Sequence, residues 1–69
     1  MTEQEDIARL RGTPVPDAEG FVFGDDIGKN GDIFDVDVIR EDDGASAGTA
    51  RGKTSAEVVA HAQEIARGD

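Results

Sequence analysis

Apolar residues along this chain fall into three blocks, and the spacing within each block predicts a different element. In the first, Ile7 and Leu10 stand three apart inside the stretch Thr2 to Arg11. That interval puts both on one side of a short helix. Thr2 is placed to cap it, with Glu5 three positions on. Glu3, Glu5 and Asp6 suit the positive end of the helix dipole, and Arg9 and Arg11 the other end. Gly12 predicts the stop, and Thr13-Pro14-Val15-Pro16 an extended connector.

The middle block changes period. Gly20-Phe21-Val22-Phe23 and Asp32 to Arg40 read as strands flanking Lys29-Asn30-Gly31-Asp32. Asn-Gly between apolar alternations predicts a hairpin over residues 20–40, because its tightest turn needs positive φ at both central residues. A two-residue turn at Asn30-Gly31 sets Ile27 opposite Phe34, Asp25 opposite Val36, Phe23 opposite Val38 and Phe21 opposite Arg40. One face then carries Phe21, Phe23, Ile27, Phe34, Val36 and Val38, and the other Val22, Asp26, Ile33, Asp35, Asp37 and Ile39. Slipping either strand by one residue would mix the two sets. The expectation is one greasy face and one acidic face. On the acidic one Asp26 would oppose Asp35, a like-charge pair that needs screening or a partner.

Residues 41–53 are small and polar. A loop and a weak third strand near Ala45 to Arg51 both fit; an isolated hairpin is rarely stable, which favours the strand. Thr54-Ser55-Ala56-Glu57 is a capping box that opens a helix over residues 54–67, with Gly68 as its stop. Val58, Val59, Ala62, Ile65 and Ala66 form its apolar stripe, suited to the hairpin's greasy underside. The fold class expected is α+β, in the order α-β-β-(β)-α, as one small domain.

That order, closing on Gly52-Lys53-Thr54-Ser55-Ala56-Glu57, resembles the double-stranded RNA-binding domain, whose last helix opens with a Ser-Lys-Lys-x-Ala pattern. The likeness covers only the C-terminal stretch and bears on the fold alone. Where the family grips phosphate with a basic pair, this chain has Lys53 followed by Thr54.

Composition sharpens the picture. Ile, Leu, Val and Phe make fifteen of 69 residues, just above the roughly 20% below which high net charge signals disorder; their clustering into periodic blocks argues for folding. Sixteen acidic against seven basic residues give a formal charge of −9. Phosphate contacts need clustered Lys and Arg, so direct nucleic-acid and acidic-membrane binding are not expected. No apolar run approaches the roughly 18 residues of a membrane span, and no secretory leader is read after Met1, so a cytoplasmic setting is expected. With no cysteine, the redox compartment is open. Asp outnumbers Glu, and Lys29 and Lys53 are the only lysines, a bias shared by salt-loving microbes and by GC-rich genomes.

Three candidate chemistries have plainer explanations. Ala47 to Thr54 approximates a phosphate-binding loop, but its first glycine is Ala47 and no buried strand precedes it. Asp26 to Asp37 echoes a calcium loop, with Gly28 at the third position and Asp in place of the closing bidentate Glu. His61, the single histidine, has no nucleophile and orienting group in evident reach. No cofactor, no metal and no enzymatic activity are therefore expected. What remains is an interaction protein whose docking surface is Asp26, Asp35, Asp37, Glu41, Asp42 and Asp43, facing a basic protein partner. The alternatives are a nucleic-acid mimic of the anti-restriction or anti-CRISPR type and a virion decoration or minor assembly protein. Self-association into a homo-oligomer is compatible with each.

Overall fold

The structure, a computed structural model, describes residues 3–68. Helix α1 (Glu3–Ala8) leads into strands β1 (Phe21–Asn30), β2 (Ile33–Arg40) and β3 (Ser46–Gly52), then helix α2 (Ser55–Arg67). The three strands form one antiparallel sheet in the order β1-β2-β3. The third strand is thus present, and the fold is α-β-β-β-α. Regular helix stops at Ala8, earlier than Arg11, because the chain tightens into three-residue turns: the Leu10 amide donates to the Ile7 carbonyl and the Arg11 amide to Ala8. The cap expected at Thr2 lies outside the described residues.

Every fully buried side chain lies on one side of the sheet or in what covers it. Phe23, Phe34, Val36, Val38 and Ala50 point down from the strands, Val58 and Ala62 come from α2, and Ile7 and Val15 close the β1 side. The expected greasy face is the observed one, and α2 packs on it. At its start Thr54 and Glu57 form the capping box, and Gly68 closes it with left-handed φ 80°. Gln63 ties α2 to the connector by donating to the Pro16 carbonyl (2.8 Å).

The register departs from expectation in its lower half. Phe21–Arg40 and Phe23–Val38 pair as anticipated, but Ile27 then pairs with Val36, not Phe34, and the turn is Gly31-Asp32, between Asn30 and Ile33. Four steps along β1 match two along β2, so Gly24, Asp25 and Asp26 form a bulge opposite Asp37. The physical reason is Asp25. An unbroken ladder would hold that carboxylate opposite Val36 on the buried face, whereas the bulge leaves Asp25 and Asp26 exposed and returns Ile27 to the underside. Gly24 permits it, since a Cβ there would lie 3.1 Å from that of Asp37. The turn needs only one left-handed residue, Gly31 (φ 66°), instead of the two assumed for Asn30-Gly31. Consequently Asp26 does not oppose Asp35; Gly28 does.

The two edges of the sheet differ. Along β1, residues 12–15 run antiparallel: Gly12 donates to the Phe23 carbonyl, Phe23 to Thr13 and Val15 to Phe21. Along β3, the Arg51 amide donates to His61 Nδ1 (2.9 Å) from α2.

Candidate functional site

The face of the sheet turned away from the helices carries Val22, Ile33 and Ile39, all half-buried, among the polar groups of β2 and β3. Strand alternation places them there, because each is one residue out of phase with the buried set. No helix among the described residues lies over this face. It is not simply acidic. Asp35 pairs with Arg51, its cross-strand neighbour (Nε to Oδ1, 3.1 Å). Asp37 accepts a hydrogen bond from the Thr49 hydroxyl, likewise directly across (3.3 Å). The bulge removes the like-charge pair expected from the sequence, and the two β2 carboxylates are met instead by side chains of β3.

The six expected surface residues do not form one continuous patch. Asp26, in the bulge, shares a shallow hollow with Asp25, Asp37 and Ile39. Asp35 lies toward the Gly31 turn, beside Asn30, Ile33 and Arg51. Glu41, Asp42 and Asp43 make the β2–β3 turn, all exposed. Asp43 serves that turn locally: its Oδ1 accepts from the Ala45 amide (3.0 Å) and its Oδ2 stands 3.7 Å from Arg40. Asp26, Glu41 and Asp42 carry no such contact among the described residues. Sequence reasoning missed Thr49 and Arg51 as partners of the carboxylates. Placing the third strand in register was the only signal that could have found them.

The near-motifs dissolve on inspection. Residues Ala47 to Gly52 are strand, so they cannot loop around a phosphate, and Thr54 is an N-cap. Residues 26–37 are bulge, turn and strand, so their oxygens are spread along two strands. Among the described residues no three His, Asp or Glu side chains converge as a metal site. His61 Nδ1 is occupied by the Arg51 amide. The chain's two lysines, Lys29 and Lys53, line one open depression, but Glu3 and Asp32 line it too and balance their charge. Lys29 sits 5.3 Å from the Phe34 ring centre, a cation–π contact at the end of the core. No helix of the described residues is long and apolar enough to cross a membrane. Searches for likeness return nothing: no family model matches the chain, and no curated protein or solved structure is similar to it.

Proposed function

We propose that this chain is a non-enzymatic interaction domain that docks a basic protein partner on the open face of its sheet. The observation that carries the reading is that face itself, where Val22, Ile33 and Ile39 stand half-buried between carboxylates. Aliphatic groups supply the contact area of such an interface, and the carboxylates steer a basic partner and fix its orientation. Asp26 and Asp37 beside Ile39, with Glu41 and Asp42 at the turn, are the groups that would meet its Lys and Arg. The neutralising contacts of Asp35 and Asp43 favour docking over phosphate mimicry, which would want those charges free. A face this small fits a weak or transient interface. The Asp-rich, Lys-poor surface fits a salt-rich or GC-rich source.

A photoreactive residue at position 39, compared with one at Ala60 on the exposed side of α2, tests this in the native host. The expected result is a discrete adduct with a basic protein from position 39 alone, lost when Asp26 and Asp37 both become Asn. Equal labelling from both positions, or labelling indifferent to those substitutions, would overturn the reading.

A further inference from the structure

We infer that the outer edge of β3 is a self-association surface, on which a second copy of this chain pairs antiparallel about a twofold axis at Thr49. The proposal does not rest on the docking face described above. Because the Arg51 amide points away from β2 to reach His61, Arg51 and Asp35 are a non-hydrogen-bonded pair. Alternation then directs the Thr49 amide and carbonyl outward as well. Ala47 sits where the β2–β3 register shifts, since Val38 pairs with Gly48 and Ile39 with Ser46. The Arg51 amide is already engaged. Thr49 is therefore the residue of this edge with both backbone groups outward, regular in position, and without a partner among the described residues. On the opposite edge, residues 12–15 already pair with Phe21–Phe23 of β1, which closes that stretch to another strand.

Charge selects the occupant. A chain of net charge −9 should repel its copy, yet residues 44–56 hold no carboxylate, the longest such stretch in the sequence. β3 is also the strand without an acid, whereas β1 carries Asp25 and Asp26 and β2 carries Asp35 and Asp37. Moreover the segment is polar end to end, with Glu41-Asp42-Asp43 before it and Arg51 and Lys53 at its close. Antiparallel pairing centred on Thr49, with the His61 ring swung off the Arg51 amide to admit the second strand, sets Arg51 opposite Ala47 of the copy and Lys53 opposite Ala45, next to the copy's acidic turn. The twofold repeats that match. Two backbone hydrogen bonds at the axis and two charge contacts at the flanks describe a weak, isologous dimer with a six-stranded sheet.

Sedimentation equilibrium from micromolar to millimolar protein, in moderate salt, measures it. Wild type is expected to associate reversibly to a dimer, and Thr49→Val, which keeps the amide, to behave alike. Thr49→Pro removes a donor that faces away from β2, so the fold is retained (checked by circular dichroism) and association weakens on the order of tenfold or more. Independently of that variant, Lys53→Glu should weaken dimerisation several-fold, and Asp42→Lys added to it should restore it. A monomer at millimolar concentration, a Thr49→Pro chain that folds and dimerises like wild type, or no rescue by the charge exchange each overturns the proposal.

Discussion

The two faces of one sheet solve the same problem by different means. Beneath, Phe23, Phe34, Val36 and Val38 are buried by α2 and by the N-terminal segment, and none of the described polar residues is buried with them. Above, the same strands carry Asp35 and Asp37 unshielded by any helix, and β3 supplies Arg51 and Thr49 directly across from them. The underside is held by area removed from water, which is large and insensitive to salt. The upper side is held by contacts that water and ions can replace, each worth little alone. Stability therefore concentrates below, and the upper face is left free to change partners.

Adjacent residues expose that asymmetry most directly. Phe23→Ala, below, should cost about 3–5 kcal/mol. That is a large part of the roughly 3–10 kcal/mol that a chain of this length holds in total. Val22→Ala, one residue earlier and above, should cost about 1 kcal/mol. Urea unfolding of both variants measures the gap; comparable losses would mean that the upper face is as tightly covered as the lower. Glycines give the next largest contrast. A Cβ at Gly52 would lie 2.5 Å from the Glu57 Cβ and 2.9 Å from the Val58 amide nitrogen. Gly52→Ala should thus push α2 off the sheet at a loss of about 1–3 kcal/mol. At Gly28, above, the nearest atoms are 3.8 Å away, and its φ is not in the left-handed region. Gly28→Ala should raise stability by about 0.4–1 kcal/mol, since the unfolded chain loses more freedom than the strand.

How far the sequence foretold these faces can be followed residue by residue. Period-two spacing located every underside residue of β1 and β2, and the capping box located α2, because both signals are local. The bulge was harder. Gly24-Asp25-Asp26 interrupts the alternation visibly, but choosing a bulge over a straight ladder requires weighing Asp25 against burial opposite Val36, a contact eleven residues distant in the chain. Asn-Gly marked the turn within one position, and the final placement followed from the bulge. β3 was legible only as a preference: Ser46-Ala47-Gly48-Thr49-Ala50-Arg51-Gly52 has a single buried residue, Ala50, so apolar periodicity is nearly silent there. With β3 unplaced, the pairing of Asp35 with Arg51 and of Asp37 with Thr49 was invisible, and the upper face read as more acidic than it is.

Salt separates the faces next. With sixteen acidic and seven basic groups, like charges outnumber pairs, so screening should relieve more repulsion than it weakens attraction. Melting temperature is expected to climb from low to molar potassium chloride. A gain on the order of 1 kcal/mol corresponds to about 4–8 °C for a domain of this size. A flat profile would remove the argument for salt adaptation.

The smallest effect is the most diagnostic. Asp35→Asn deletes the Arg51 contact, which at 3.1 Å with both groups partly exposed is worth about 0.5 kcal/mol. It also removes one negative charge from a field of many. At about 0.1 M salt the Debye length is roughly 10 Å, so the near pair still acts while distant carboxylates are largely screened, and the substitution should destabilise. At about 0.01 M the length grows to roughly 30 Å. The whole excess charge then acts on position 35, and its relief offsets the lost pair. At about 1 M the length is near 3 Å, and the pair itself is screened. The loss should therefore peak at intermediate salt and shrink on either side, as thermal unfolding at three ionic strengths will resolve. A loss that falls steadily from the lowest salt would mean that Asp35 responds to Arg51 alone, and that the acidic surface exerts no collective field on the open face.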